Sequence, residues 1–322
     1  MLISVIVTAY NRRSFLKYAI RSVIEQDIPR DYYEVIVIVN FKDQEITDLA
    51  DNGIIKLIVL DEGTVGEYIS SGLKNSSGEI VTFLDDDDIY KTSRLRSILE
   101  IFEKYPEVVY YKNDIEIIDS QNNIKNKFNR SSRCRSGIFE RQRLLRDGNV
   151  QKLQLHLSTT AVRRRVLDPF LEILPKMTHG TDVWFYYMAM SSGELVYLDC
   201  EPLTYYRIHD LATTGIHNEF NHFIGGYNSI AELGNEIKDF AVKNDLEKTR
   251  YRMLILSVSR AEHVSIRDII KGFLFYISHI SINTRDAEVL AYSIFIILSS
   301  ILGKKNSGKI ASRIIFWFSE AL

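Results

Sequence analysis

Four consecutive aspartates give the sequence its strongest chemical signal. They lie in FLDDDDIY, residues 83–90, where Asp85–Asp88 directly follow an apolar run. Adjacent carboxylates repel one another unless a cation neutralises their charge. Carboxylate oxygens suit Mg²⁺ or Mn²⁺, which proteins often hold through one or two carboxylates together with substrate phosphates. The acidic run, Asp85–Asp88, therefore predicts a divalent-cation site; the alternative is a solvated acidic turn that favours the start of the next helix.

Two further segments carry groups that could take part in chemistry. Asp182 precedes the aromatic residues Trp184–Tyr187 in a segment that predicts a helix, and an acid there can act in catalysis or cap the helix. In YYRIH, residues 205–209, Arg207 can bind phosphate through its guanidinium, and His209 can contact a metal or a phosphate. Taken alone, YYRIH is better explained as an edge strand with exposed polar side chains.

The first 112 residues alternate apolar, β-rich runs with helical segments. One predicted helix contains Leu16 and has Ser14 as its cap, and another follows Thr92 or Ser93. Repeated strand–helix–strand units predict an α/β fold with a parallel sheet covered on both faces. The runs that predict its strands are Leu2–Thr8, Val35–Val39, Ile54–Leu60, Ile80–Leu84 and Val108–Tyr111.

Polar residues gather at the carboxyl ends of these predicted strands. Thr8 and Tyr10 lie at the end of the first strand, Asn40 follows the second, and the acidic run follows the fourth. Parallel sheets of this kind bind their ligands at that edge. The sequence therefore predicts that these residues share one site.

Composition excludes several classes of protein. The 322 residues are 46% hydrophobic and 25% charged, which excludes a disordered chain, a collagen-like repeat and a small disulfide scaffold. The formal net charge of −2 argues against a nucleic-acid-binding protein, which usually has a basic excess. Two cysteines, Cys134 and Cys200, make neither a disulfide framework nor a metal cluster, so we expect a reducing compartment.

The rest of the chain is less regular. A polar, basic stretch at residues 122–135 predicts a mobile loop, and a strand or helix is predicted around Leu155–Val162. No proline occurs after Pro202, and the remaining sequence predicts a separate helical region. We therefore predict three segments, with bounds 1–112, 113–215 and 216–322.

In sequence order, these features resemble the family 2 glycosyltransferases, which have the GT-A fold. The resemblance covers roughly residues 1–210, with blocks in the family's order and at about its spacing. The blocks are SVIVTAYNRRSFLKYAIRSVIEQ, SGEIVTFLDDDDIYKTSRL, TAVRRRVL and GTDVWFYYMAMSSGELVYLDCEPLTYYRIH.

The resemblance implies a Rossmann-like α/β/α sandwich with a mostly parallel sheet. It also implies transfer of a sugar from a nucleoside-diphosphate sugar to a hydroxyl of a glycan or lipid-linked acceptor, with inversion at the anomeric carbon. Residues 1–112 would form the nucleotide-sugar-binding half of the domain, and residues 113–215 the acceptor-binding half. A divalent metal, Mn²⁺ or Mg²⁺, would assist the reaction.

The resemblance also implies a role for individual residues. Thr8 and Tyr10 would line the base and ribose of the donor. The metal-binding acids of the family's D-x-D motif correspond to Asp85 and Asp87, and Asp86 between them could share their work. The roles implied for the later blocks are Asp182 as the general base, Arg207 on the diphosphate and His209 on the metal.

The sequence departs from the family after the second strand. Family members usually have an acidic pair there, and one of those acids often holds the base. This chain has VIVNFKDQ, with Val39 and Asn40 at the two positions. The amide of Asn40 can still donate and accept hydrogen bonds with a base. A second altered block reads EYISSG, at residues 67–72.

The C-terminal region contains an amphipathic pattern. Its apolar stretch Ala291–Leu302 has twelve residues, fewer than the roughly 20 that a transmembrane helix needs. Lys304–Arg313 supply positive charge before the aromatic segment Ile314–Phe318, which suits a helix at a membrane surface. The alternatives are packing on the catalytic domain or on a second subunit in a homo-oligomer. We expect a cytoplasmic protein at the inner face of the membrane.

Two other functions remain open from the sequence. A Mg²⁺-dependent nucleotidyltransferase would release pyrophosphate, but it usually has a glycine- and lysine-rich loop after the first strand, which TAYNRRSF lacks. A catalytically inactive nucleotide-sugar-binding or scaffold protein would bind the donor without transfer, and the altered VIVNFKDQ segment favours it.

Overall fold

A computed structural model describes residues 1–125, 136–146, 156–209 and 219–258, together with residues 270 and 274. Part of the predicted basic loop and the whole amphipathic C-terminal pattern lie outside the described residues. Among those described, no helix is both long and apolar enough to cross a membrane. The predicted contacts with a membrane or a second subunit therefore stay predictions.

The first half of the sheet is parallel, as the sequence predicts. Four strands lie in the order β3-β2-β1-β4, and each pairs with its neighbours in parallel. The β-branched side chains of β1, β2 and β4 are buried on both faces, as expected for central parallel strands, whereas Val59 of the edge strand β3 is exposed. The bounds are β1 Ile3–Ala9, β2 Tyr33–Val39, β3 Lys56–Val59 and β4 Ile80–Asp85.

Helices connect these strands. Each has an apolar stripe facing the sheet, for example Leu16, Ala19, Ile20 and Val23 of the first helix. Gly66 in the third helix permits close packing, because a Cβ there would collide with the carbonyl oxygen of Leu174. The bounds are α1 Leu16–Ile24, α2 Gln44–Asp51, α3 Val65–Lys74 and α4 Arg94–Lys104.

The second half of the sheet is mixed. The strand order continues from β4 through β8, β6 and β9 to β5, and β7 also pairs with β9. Only β6 and β9 pair in parallel in this half, and the other pairings are antiparallel. The bounds are β5 Ile89–Tyr90, β6 Val108–Ile118, β7 Gly137–Phe139, β8 Thr160–Arg163 and β9 Leu195–Arg207.

Three helices accompany this half of the sheet. They are α5 Arg141–Arg146, α6 Arg164–Leu167 and α7 Thr181–Ser191. The third is apolar on all sides, and residues Val183–Met190 are all buried. It is therefore a core helix.

Two local predictions are wrong in detail. Ser14 does not cap α1, because the helix begins after Phe15 and has no side-chain cap. Ser93 occupies the cap position of α4, but its side chain makes no capping hydrogen bond. The strand or helix predicted around Leu155–Val162 is confirmed in part, since a 3₁₀ turn, Leu157–Thr159, leads directly into β8, which begins at Thr160.

The chain divides into two compact units. The first comprises residues 1–143 and 151–212, and the second comprises residues 144–150 and 213–322. In the second unit, α8 Glu219–Glu236 and α9 Phe240–Val258 contact each other, consistent with the predicted helical region. The predicted division at residue 112 stays a prediction.

One cysteine differs from the expectation. Cys200, in β9, is disulfide-bonded. Disulfides are uncommon in reducing compartments. The predicted cytoplasmic location therefore stays a prediction.

Candidate active site

The strand register brings the predicted site residues to one edge of the sheet. Thr8 in β1 is flanked by Asp85 in β4 and by Ile38 in β2. Because these three strands are parallel, the segments that follow them leave the sheet side by side. The acidic run and the turn that begins at Tyr10 are therefore neighbours, as the sequence predicts.

Two of the four carboxylates of the acidic run bind an arginine of the chain itself. Arg12 lies in the turn after β1. Its Nε donates to Oδ2 of Asp86 at 3.0 Å, and its Nη2 contacts the other oxygen of the same carboxylate. Its Nη1 forms an ion pair with Oδ2 of Asp87 at 2.8 Å. One guanidinium therefore shares its single positive charge between two adjacent acids.

The fourth carboxylate of the run faces the interior. Asp88 is buried, and its Oδ1 accepts a hydrogen bond from the backbone N–H of Arg207 at 3.0 Å. Ser158 also hydrogen-bonds this carboxylate, and its Oγ accepts the N–H of Asp85 at 3.1 Å. These contacts fix the turn that carries the acidic run.

Burial and mutual repulsion shift the pKa values of these acids. Burial, with the charges of Asp87 and Asp86, raises the pKa of Asp85 to about 7. Burial raises the pKa of Asp86 to about 6, against the opposing effect of Arg12. The pKa of Asp88 is well above its usual value, chiefly through burial. The run therefore holds its charge at a cost that an additional cation would reduce.

Asp182 is held differently. It lies in the first turn of α7, one residue after Thr181, and Gly180 occupies the cap position, so Asp182 is not the cap. One carboxylate oxygen accepts the N–H of Val183 at 2.9 Å, and the other accepts the N–H of His156 at 3.1 Å. His156 has a φ of +65°, which is uncommon for a residue with a Cβ.

A buried lysine supplies the positive charge near Asp182. Burial raises the pKa of Asp182, and the positive charge of Lys112 in β6 opposes this shift. The Lys112 Nζ donates to Oγ1 of Thr159, which in turn donates to the carbonyl of His156 at 2.7 Å. The acid, its N–H donor and its counter-charge therefore belong to one connected network.

The two acidic groups belong to the same site. The negative charge of Asp182 contributes to the raised pKa of Asp85, although burial and the neighbouring acids contribute more. Interactions between charged side chains weaken with distance in a solvated protein. The structure therefore brings Asp182 close to the acidic run, some 95 residues earlier in the sequence.

The residues predicted to contact the donor nucleotide differ in how accessible their side chains are. The Tyr10 side chain is 44% exposed, and its ring meets the edge of Tyr68 with the centroids 5.8 Å apart. Asn40 is paired with Asn11 through two hydrogen bonds, of 2.8 Å and 2.7 Å, that join the ends of β1 and β2. Thr8 is partly buried. Tyr10 is therefore the most accessible of these predicted contacts.

The last two predicted site residues brace the acidic run. Arg207 is buried; its Nε donates to the carbonyl of Asp87 and its Nη1 to the carbonyl of Asp119, both at 2.8 Å. Its Nη2 is buried without a hydrogen-bond partner. The Nε2 of His209 lies 3.1 Å from Oδ2 of Asp87. Both residues thus contact the run, and their predicted contacts with phosphate and metal stay predictions.

A cavity of about 390 Å³ lies beside this edge, and no predicted site residue lines it. The turn after β3 and the outer face of α3 form its walls, with acidic groups at Asp61, Glu62 and Glu67. Lys74 also lines it, so the cavity has mixed charge. The predicted site residues therefore lie at the open edge by the acidic run and not in this cavity.

The chemistry of the donor set fits a divalent cation. Asp85 and Asp87 offer carboxylate oxygens and His209 an imidazole nitrogen, which are ligands that Mn²⁺ accepts. Within the described ranges, however, no group of three acidic, histidine or cysteine side chains is arranged to hold a metal ion. A bound cation would therefore take some of its ligands from a substrate.

Sequence reasoning missed four residues of this site, namely Arg12, Lys112, His156 and Ser158. Arg12 had a signal, because it directly follows TAYN at the end of the first strand, beside the strand that carries the acidic run. The other three had none, since their contacts depend on how the second half of the sheet is arranged.

Comparison with known sequences identifies the family. The sequence model of glycosyl transferase family 2 matches residues 4–169. An uncharacterized glycosyltransferase of Nostoc sp. is 29% identical over 217 residues, which are 65% of this chain and 65% of that protein. A second, from Rickettsia typhi, is 27% identical and covers 66% of each chain. The chain thus spans slightly less than two thirds of the length of these relatives.

Solved structures share the fold. The crystal structure of Staphylococcus aureus TarS 1-349 has a TM-score of 0.64 and 14% identity, covering 100% of this chain and 92% of that chain. TarS 1-349 in complex with UDP-GlcNAc has a TM-score of 0.63, covering 94% and 88%. At this identity the likeness concerns the fold, and it confirms the predicted GT-A architecture. With more than half of its length matched by the family model, the chain belongs to glycosyl transferase family 2.

Proposed function

We propose that the chain is an inverting glycosyltransferase that moves a sugar from a nucleoside-diphosphate sugar to a hydroxyl of a glycan or lipid-linked acceptor, with a divalent metal. One observation carries the proposal: the acidic run and Asp182 lie close enough for their charges to interact. A cation-binding group and a base at one site are what this reaction needs. Membership of family 2 supports the class of reaction.

The donor would bind at the carboxyl ends of β1, β2 and β4. The exposed ring of Tyr10 offers a surface for the base to stack on. The diphosphate would lie at the acidic run, with Asp85 and Asp87 as ligands of the cation. When bound, Mn²⁺ or Mg²⁺ stabilises negative charge on the leaving diphosphate as a Lewis acid.

Asp182 would accept the proton of the acceptor hydroxyl. Its two hydrogen bonds from Val183 and His156 fix the carboxylate, and Lys112 favours its ionised form. A general base must be ionised before the acceptor attacks. The network around Asp182 therefore prepares the carboxylate for this role.

The donor nucleotide is the first feature to test. The TarS structures of the same fold contain UDP-GlcNAc and UDP, which makes uracil the first base to try. We would incubate the protein with UDP-, GDP- and dTDP-sugars, with and without Mn²⁺, and measure release of the nucleoside diphosphate as water takes the place of the acceptor hydroxyl. We expect the nucleoside diphosphate to be released only when Mn²⁺ is present and only from sugar nucleotides with one particular base.

The same assay separates the alternatives. A nucleotidyltransferase would release pyrophosphate from a nucleoside triphosphate and leave the sugar nucleotides intact. A scaffold protein would bind a sugar nucleotide without releasing its diphosphate under any condition. Either result would contradict the proposed transfer reaction.

A further inference from the structure

The chain provides its own cation for the acidic run. The guanidinium of Arg12 contacts both oxygens of Asp86 and one oxygen of Asp87. The Arg12 side chain is 24% exposed, whereas the side chains of Asp86 and Asp87 are 5% and 13% exposed. Charge-assisted, fork-shaped contacts of this kind are among the stronger hydrogen bonds in proteins. One positive charge is therefore already shared between two of the four acids.

Asp87 is the residue at which the guanidinium of Arg12 and a divalent cation would compete. Its Oδ2 lies 2.8 Å from Nη1 of Arg12 and 3.1 Å from Nε2 of His209. Under the proposed function, the same carboxylate is a ligand of the divalent cation. A positively charged guanidinium and a divalent cation repel each other at such short range. The two cannot occupy this oxygen together.

We propose that Arg12 occupies the position of the divalent cation in the free protein and that the cation binds Asp87 only by displacing its guanidinium. The inference rests on the proposed function, because it takes the acidic run as the metal site. It implies an order of binding, in which the cation binds firmly only together with the donor. The free protein has low affinity for the cation, and the donor diphosphate, which brings further ligands and negative charge, makes the exchange favourable.

The neighbouring arginine provides a matched control. Arg13 carries the same charge one residue later, but its guanidinium lies over the ring of Phe41, 4.7 Å from the centroid. It has no ion pair with the acidic run among the described contacts. Arg13→Gln therefore removes one charge from the same turn without releasing Asp86 or Asp87.

The test is a titration with Mn²⁺ alone, followed by the electron paramagnetic resonance signal of free Mn²⁺. We expect Arg12→Gln to bind Mn²⁺ about tenfold or more tightly than wild type, since a hydrogen bond between charged groups commonly contributes a factor of that size. Arg13→Gln should bind as wild type does. Equal affinities for Arg12→Gln and wild type, or equal tightening in Arg13→Gln, would overturn the proposal.

A second variant tests the proposal if Arg12→Gln does not fold. Arg12→Lys keeps the positive charge but cannot form the fork, so its Mn²⁺ affinity should exceed that of wild type by a smaller factor. If Arg12→Gln does not fold, the lysine variant decides: tighter binding supports the proposal, and unchanged binding contradicts it. Thermal unfolding with and without Mn²⁺ gives a second readout, because Mn²⁺ should raise the Tm of the variant more than that of wild type.

Repeating the titration with UDP separates this inference from the proposed function. If wild type binds Mn²⁺ and UDP together but Arg12→Gln binds Mn²⁺ alone no more tightly than wild type, only the role of Arg12 is wrong. If neither protein binds Mn²⁺ with or without UDP, the metal site itself is wrong and the proposed function loses its cation.

Discussion

The acidic run and Asp182 are two ways of holding carboxylates in one site. The run places four acids in one turn and shares them among the guanidinium of Arg12, the backbone N–H of Arg207 and Ser158. Asp182 stands alone, with two backbone N–H donors and the charge of Lys112. Burial raises the pKa values in both places; a further cation would lower those of the run, whereas Asp182 already has Lys112 as a counter-charge.

This difference indicates different tasks. A binding site for a cation must hold charge that is only partly compensated, because full compensation would leave nothing to attract the ion. A general base must have its protonation state and orientation fixed before the substrate arrives. We therefore expect substitutions in the run to change binding and substitutions around Asp182 to change turnover.

The largest effect is expected from Asp182→Asn. A general base typically contributes ~10²–10⁴-fold to the rate, and asparagine keeps the size and the hydrogen-bond acceptor but cannot take a proton. The rate of Mn²⁺-dependent sugar-nucleotide turnover should fall by that range. Asp168→Asn, at an exposed acid of a 3₁₀ turn, is the control and should keep full activity. A loss below about threefold would remove Asp182 from the mechanism.

Replacing the buried lysine should have a smaller effect on turnover that depends on pH. The positive charge of Lys112 lowers the pKa of Asp182 against the effect of burial. Lys112→Met should raise that pKa, so the acidic limb of the pH–rate profile should move to higher pH. At pH 7 we expect a loss of roughly tenfold, on the scale of removing one partner of a buried charge.

Lys91 offers a matched control for this variant. It is a partly buried lysine of the same sheet region, paired with Glu116 at 2.9 Å. Lys91→Met should leave the pH–rate profile in place. A Lys112→Met profile that keeps the wild-type acidic limb would mean that Lys112 has a structural role only.

A substitution in the acidic run should change how the free energy of unfolding depends on pH. The folded pKa of Asp85 is about 7 against the usual 3.8, so between these values the folded state holds a proton that the unfolded state has lost. The free energy of unfolding should therefore fall as pH rises from 4 to 7. Asp85→Asn removes this contribution to the pH dependence, because asparagine does not titrate. At pH 8 without metal, it should be more stable than wild type by about 1–2 kcal/mol, as judged by denaturant unfolding.

The pH series supplies the control for that measurement. The difference between Asp85→Asn and wild type should shrink as pH falls through 7, because the wild-type carboxyl then regains its proton. A difference that is the same at pH 5 and pH 8 would contradict the raised pKa of Asp85.

The two regions also differ in how well the sequence predicts them. The first half of the sheet and the position of the acidic run follow from local patterns, since each βαβ unit buries residues that are close in sequence. The ends of β1, β2 and β4 fall within one or two residues of the prediction. The aromatic segment Trp184–Tyr187 also placed Asp182 at the start of a helix.

The surroundings of these acids were not predictable in the same way. Arg12 reaches Asp86 across 74 positions of the chain, and His156 reaches Asp182 from a 3₁₀ turn that the sequence left ambiguous. Asn40 shows the same limit, because its pairing with Asn11 depends on a residue with a φ of +56°. Residue types indicate what chemistry is available, but the contacts that tune it form only when the sheet assembles.

The central claim is that the acidic run binds the cation and the donor diphosphate, whereas Asp182 accepts the proton of the acceptor hydroxyl. The most direct measurement is calorimetric titration of UDP into wild type, Asp85→Asn and Asp182→Asn, each with and without Mn²⁺. We predict Mn²⁺-dependent binding of similar affinity in wild type and Asp182→Asn, and loss of that dependence in Asp85→Asn. Mn²⁺-dependent binding that survives in Asp85→Asn but is lost in Asp182→Asn would contradict the division of roles.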